Sequence, residues 1–209
     1  MFILATSNPD KASEMLDILG SVGIEASCPS PGDLPQVEET GATIEENALI
    51  KARACCARLG RPCIAEDTGL FVRALGGGPG VYASRFAGPG CTYDENVRKL
   101  ISVIRGETGE SRRAVFAAAA ALCTPSGVEI CASGELEGEI AEEPRGSGGF
   151  GYDPVFMVLG TGLTLAELDR ERKNSLSHRN AALRALASKI SERGGLPLQP
   201  QSPSSPVNS

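Results

Sequence analysis

Residues 113–123 read RAVFAAAAALC, and the alanines at 117 to 121 would favour a helix on propensity alone. Their surroundings argue for a strand. Val115 and Phe116 lead in, Pro125-Ser126-Gly127 follows as a turn, and residues 128–137 (VEICASGELE) resume with alternating character. Two extended runs joined by a short Pro/Gly turn spell a β-hairpin. The turn and the alternating partner outweigh the alanine propensity, so a long hairpin is expected mid-chain. Aromatics are only 4 % of the residues and Trp is absent, so small apolar side chains must fill the interior. The hydrophobic share of 41 % is enough for a core without disulfides or a structural metal.

Strands alternate with helices before that hairpin. Phe2 to Ala5 is a short apolar run stopping at Thr6-Ser7-Asn8-Pro9. Asn8 as N-cap, Pro9 in the first turn and Gly20 past the end bound a helix with Ala12, Met15, Leu16 and Leu19 on one face. Thr43-x-x-Glu46 is a capping box opening a second helix to about Leu59, ended by Gly60 and Pro62. Cys63-Ile64-Ala65 reads as a short buried strand, followed by polar Glu66-Asp67-Thr68-Gly69. The 76–80 segment is a glycine-rich loop, 94–105 a helix, 154–158 a strand and 164–170 a short helix. A longer helix runs from Ser177 to Arg193 with Leu183, Leu186, Ala187 and Ile190 as its core stripe. Residues 1–193 thus form one mixed α/β domain, and 194–209, rich in Gly, Pro, Ser and Gln, are expected to be disordered.

The net charge of −6 and the lack of a basic stripe argue against nucleic-acid binding, but not against a nucleotide met by a few local cations. The seven cysteines contain no C-x-x-C pair, and the single histidine leaves no zinc set, so buried free thiols are expected. The opening apolar run is too short for a signal peptide or membrane span, which reads as a cytoplasmic protein.

Five groups of residues can carry chemistry. The loop Thr6-Ser7-Asn8-Pro9-Asp10-Lys11 sits at a helix N-terminus, where free N–H groups, the helix dipole and a lysine favour anions. Alone it is also an ordinary helix cap. Two acidic pairs, Glu38-Glu39 and Glu66-Asp67, offer hard oxygen ligands of the kind Mg²⁺ takes. Asn47 and Lys51 are i, i+4 neighbours, and Lys51 lacks an ion-pair partner at favourable spacing on its helix. Gly148-Gly149-Phe150-Gly151-Tyr152-Asp153 combines close backbone approach with rings able to stack on a base. With Ser177 as cap, His178 and Arg179 occupy a first helical turn where the dipole disfavours cations, a placement that suggests another use. Lys173 lies just upstream.

Together the stretches ATSNPDK, EETG…ENALIKA, IAEDTGL, ALGGGPGVYASRFAG, GGFGYDPVF and KNSLSHR resemble, in order, the inosine triphosphate pyrophosphatase family of non-canonical purine NTP pyrophosphatases. The resemblance spans nearly the whole chain to about Arg193. It implies a two-lobed fold around a long central mixed sheet, a homodimer, and Mg²⁺-dependent hydrolysis of ITP, dITP or XTP to the monophosphate plus pyrophosphate. Carried over by position, Thr6, Ser7, Asn8, Pro9, Asp10 and Lys11 would contact the triphosphate. Glu39 and Asp67 would hold Mg²⁺, with Asp67 also the proton acceptor and Lys51 beside the phosphates as the second catalytic residue. Thr68, Phe150, Gly151, Tyr152, Asp153, Lys173, His178 and Arg179 would line the substrate pocket. The chain departs from the family at Ser7 and Asp10, where glycines are common, and at Glu66 and Thr68, where Asp and Ser are. A related fold family acting on modified pyrimidine or 7-methylguanosine triphosphates opens with a Ser-Pro-Arg-Arg type loop, unlike Ser7 to Lys11. A nucleotide sensor without turnover would not need Glu39, Asp67, Lys11 and Lys51 together.

Overall fold

The computed structural model describes residues 1–30 and 32–194, so the tail from Gly195, with the disorder expected there, lies outside the described residues. In chain order the elements are β1 (Phe2–Leu4), α1 (Pro9–Ser21), β2 (Ala26–Ser27), α2 (Ile44–Leu59), β3 (Cys63–Val72), β4 (Pro79–Gly80), α3 (Tyr93–Val103), β5 (Arg113–Cys123), β6 (Glu129–Ile140), β7 (Phe156–Val158), α4 (Arg170–Leu176) and α5 (His178–Glu192). The sheet order is β2-β1-β3-β5-β6-β7, with β4 added along the outer part of β3. β1 runs parallel to β2 and β3, and the other pairs are antiparallel, so the sheet is mixed.

The alanine run is indeed a strand, and it sets the packing. Successive side chains on a strand point to opposite faces. Ala118, Ala120 and Leu122 join the core made with α1 and α5, alongside Met15, Leu19, Leu183 and Leu186. Ala117, Ala119 and Ala121 join the core made with α2, alongside Ala48, Ala52 and Cys55. Methyl groups on both faces let helices approach closely from both sides. On β6 even a methyl is too much: a Cβ at Gly134 would collide with the backbone of Ala182 and His178. This contact seats the first turn of α5 directly on the sheet. A third core, including Leu70, Leu100, Phe116, Val155 and Phe156, builds the second lobe around the far ends of β3, β5 and β6. The mixed α/β, two-lobed architecture is the expected one.

Several local expectations need correction. The strand from Cys63 does not stop at Ala65; Glu66 to Gly69 lie in the middle of a ten-residue β3. The polar run looked like a turn, but each polar side chain finds partners on its own face of the sheet, so the ladder to β5 continues. Between 164 and 170 only Leu165–Glu167 is helical, as a 3₁₀ turn; the α-helix is α4, which carries Lys173. Gly20 lies within the last turn of α1, and Pro154 and Val155 precede β7. At α2, Thr43 caps the Glu46 N–H as expected, but the Glu46 carboxylate accepts from Ala42 N rather than closing the box on Thr43. Two short strands, β2 and β4, were not anticipated. Of the cysteines, Cys55, Cys56, Cys63 and Cys123 are buried, Cys28 is exposed, and all seven are free thiols.

Candidate active site

α1 begins at a loop shaped by Asn8. Its Oδ1 accepts from the Asp10 and Lys11 N–H groups at 2.9 and 3.3 Å, and Thr6 Oγ1 accepts from Asn8 N at 3.2 Å. Over this helix N-terminus opens a cavity of about 1040 Å³ lined by Thr6 to Pro9, Lys11, Glu39, Lys51, Glu66, Asp67 and Thr68, with Leu34, Pro35 and Val37 as an apolar wall. Asp10 is exposed and does not line it.

The two acids of Glu66-Asp67 part company, because adjacent strand residues face opposite ways. Asp67 turns toward α2. Lys51 Nζ stands 2.6 Å from Asp67 Oδ1 and 2.9 Å from Glu39 Oε1, so one ammonium bridges both carboxylates. Asn47, wholly buried, accepts from Gly41 N at 2.8 Å and turns its Nδ2 to Asp67 Oδ2 at 3.4 Å. Arg85 approaches the far oxygen of Glu39 at 3.7 Å. Burial, reinforced by Glu39, raises the Asp67 pKa against the opposing pull of Lys51 and Lys11. Burial alone would depress the Lys51 ammonium, but Asp67 and Glu39 raise it. Glu39 goes the other way: burial opposes, and Lys51 wins, so its pKa is lowered.

Glu66 turns toward α1 and α5. Its carboxylate meets Lys11 Nζ at 3.0 Å, accepts the Thr68 hydroxyl, and meets Arg179 Nη2 at 3.2 Å. Burial would raise its pKa, but Arg179 and Lys11 overcome this and hold it well below the usual carboxylate range. Arg179 also binds Glu14, whose other oxygen lies 2.6 Å from Lys173 Nζ. Lys173 in turn lies 2.5 Å from Asp153 Oδ2, which accepts the Phe150 N–H at 2.7 Å. An unbroken chain of charges thus runs from Lys11 at the start of α1 to the glycine-rich segment.

His178 stacks flat on Phe116, ring centroids 4.3 Å apart, and neither ring nitrogen has a partner among the described residues. Burial, then repulsion from Arg179, lowers its pKa well below 6.5, so the imidazole is neutral at pH 7. Neutrality removes half of the conflict with the α5 dipole, and Glu66 and Glu14 offset the other half at Arg179.

Most of the expected residues therefore converge, with exceptions. Tyr152 is a core residue: its ring packs edge-on against Phe116 and its hydroxyl donates to Ala83 O at 2.8 Å. Glu38 is exposed, and Glu66, on the opposite face of β3 from Asp67, is held by two cations. Phe150, Lys173, His178 and Arg179 do not line the open cavity, and the last three are almost fully buried. Sequence reasoning missed Glu14 and also Tyr93, whose hydroxyl accepts from Asn8 Nδ2 at 2.8 Å. Glu14 had one faint signal, its i, i+3 spacing from Lys11 beside a buried stripe; Tyr93 had none.

The two carboxylates beside the α1 N-terminus, Glu39 and Asp67, are of the kind that suits a hard divalent cation. Mg²⁺ needs only one or two carboxylates, the rest of its shell being water and phosphate oxygens. Among the described residues no group of three or more His, Cys, Asp or Glu is placed to hold a metal ion.

Fold and site together define an α/β protein with a cavity over a helix N-terminus beside a lysine-bridged carboxylate pair. The chain belongs to the Ham1 family, whose model matches residues 2–189. It is 49 % identical over 181 residues to a dITP/XTP pyrophosphatase of Symbiobacterium thermophilum, covering 87 % of this chain and 90 % of that protein. A dITP/XTP pyrophosphatase of Geobacter sulfurreducens is 44 % identical, covering 92 % and 97 %. Among solved structures, a HAM1 protein from Coxiella burnetii superposes with a TM-score of 0.81 at 39 % identity, covering 92 % of this chain and 100 % of that one. No described helix is long and apolar enough to cross a membrane.

Proposed function

We propose that this chain hydrolyses non-canonical purine nucleoside triphosphates, ITP, dITP and XTP, to the monophosphate and pyrophosphate. On this reading residues 1–193 form one cytoplasmic catalytic domain that works as a homodimer with Mg²⁺ held by Glu39 and Asp67. The observation that carries the chemistry is the Glu39–Lys51–Asp67 bridge at the mouth of the phosphate loop. The dimer rests on the family resemblance.

The residues divide the work. The α1 N-terminus and Lys11 receive the polyphosphate, and Lys51 adds positive charge beside it. When bound, Mg²⁺ supplies charge neutralisation on phosphate oxygens and acidifies coordinated water. Asp67, its pKa raised by burial, accepts the proton of the attacking water as the new P–O bond forms and the bond to pyrophosphate breaks. At the other end of the charge chain, neutral His178 offers one N–H and one lone pair, and Arg179 offers an Nε–H without a partner among the described residues. Such donors match a 6-oxo purine and leave buried groups unpaired against the adenine amino group. The test is pyrophosphate release from ITP, dITP, XTP and ATP with and without Mg²⁺. The reading expects kcat/KM for ITP above that for ATP by at least about 100-fold. Equal values would end the base assignment, and release without Mg²⁺ would end the metal assignment.

A further inference from the structure

The two halves of the site are not equally accessible. The phosphate side is an open cavity, whereas Lys173, His178 and Arg179 are sealed. Phe150 lies over two of them: Lys173 Nζ is 4.8 Å and the Arg179 guanidinium carbon 5.4 Å from its ring centroid. Such cation–ring contacts are favourable and hold the ring over the charges.

Phe150 is held in turn by Tyr93, at the start of α3. The two ring centroids are 5.8 Å apart with planes inclined at 38°. The Tyr93 hydroxyl accepts from Asn8 Nδ2 at 2.8 Å. Asn8 has no freedom to reverse its amide, because its Oδ1 is already bound to the N–H groups of Asp10 and Lys11. Its Nδ2 is therefore a fixed donor aimed across the cleft. Tyr93 is itself 42 % exposed, at the edge of the cleft.

We propose that Tyr93 is a positioning residue that couples the phosphate loop to Phe150, so that an anion arriving at Asn8 releases the ring covering the base pocket. The proposal rests on the nucleotide reading above. A phosphate at the α1 N-terminus competes for the Asn8 amide, the Asn8–Tyr93 bond is lost, and Tyr93 no longer backs Phe150. Phe150 then swings from Lys173 and Arg179, exposing the donors of His178 and Arg179. By linkage the reverse holds equally: a purine in the pocket strengthens anion binding at the loop.

The experiment separates the two ends of the substrate. Inosine binding is measured by calorimetry with and without saturating inorganic tripolyphosphate, for the wild-type chain, Tyr93→Phe and Tyr93→Ala. Tripolyphosphate should tighten inosine binding to the wild type by about fivefold or more, the usual range for coupled sites. Tyr93→Phe keeps the ring and loses the bond to Asn8, so most of that factor should vanish. Tyr93→Ala loses both contacts and should bind inosine alike in both conditions, and more tightly than wild type without tripolyphosphate. The chain has no Trp, so the change in tyrosine emission on adding tripolyphosphate alone should be present in wild type and reduced in Tyr93→Phe. Coupling that survives both substitutions overturns the role of Tyr93 and leaves the nucleotide site intact. Absence of coupling in the wild type overturns it as well. Failure of inosine to bind under any condition removes the base pocket itself and the coupling with it.

Discussion

Two clusters of carboxylates and cations flank β3, one on each face. On the α2 side, Glu39 and Asp67 share Lys51, and the cluster lines the open cavity. On the α1/α5 side, Glu14, Glu66 and Asp153 face Lys11, Lys173 and Arg179, all buried except Lys11. In the first, the nearer cation, Lys51, is shared by both acids, with Arg85 only approaching Glu39; in the second, three acids meet three cations, and only Lys11 and Glu66 reach the cavity. Their pKa directions follow suit. Asp67 is raised, its burial incompletely offset, while Glu66 is held well down by its two cations. An under-compensated acid at a cavity mouth can take up a metal or a proton, and a compensated one in the interior holds neighbouring groups in place.

Removing an acid should therefore have opposite consequences on the two sides. Asp67→Asn should lower kcat by about 10²–10⁴-fold, the range for loss of a general base, without lowering resistance to denaturant. Its burial already disfavours the charged form, so neutralising it relieves desolvation. A destabilised Asp67→Asn chain would break the contrast. Glu14→Gln should instead unfold more easily by about 3–5 kcal/mol, because two buried cations lose a shared partner. A denaturation midpoint matching wild type would mean that Lys173 and Arg179 are satisfied without it.

The smallest effect concerns pH. His178 is the chain's one histidine, and its folded pKa lies well below 6.5. Between 6.5 and that lower value the unfolded chain binds the extra proton, so this contribution to stability is present above about pH 6.5 and is lost as pH falls. His178→Gln, which cannot charge, should flatten the fall in melting temperature between pH 6.5 and about 5. At most one proton is involved, a slope of about 1.4 kcal/mol per pH unit. An unaltered slope would show that His178 is solvated and charged.

Much of this was legible beforehand, for reasons of local chemistry. Asn8, Pro9 and Ser177 announce helix starts because capping involves only near neighbours. The alanine strand was readable because a turn and an alternating partner adjoin it. Glu66 to Gly69 misled for the converse reason. Four polar or small residues look like a turn, and only distant partners, Lys51 for one acid and Lys11 and Arg179 for the other, hold them in a strand. Glu14 was invisible because a glutamate on a helix is ordinarily solvated, and its partners, Lys173 and Arg179, lie near the far end of the chain.

The order of motifs, the helix caps and the hairpin are properties of short stretches, and the amino-acid sequence alone determined them. Which carboxylate faces which cation was decided only by tertiary structure. Strand alternation sends Glu66 and Asp67 to opposite faces, and the helices packed on those faces supply the partners. The same long-range packing decided that Tyr152 is core, that His178 is neutral, and that Phe150 lies over the cations rather than in solvent. Burial and charge pairing depend on distances between residues far apart in the chain, and no local pattern encodes them.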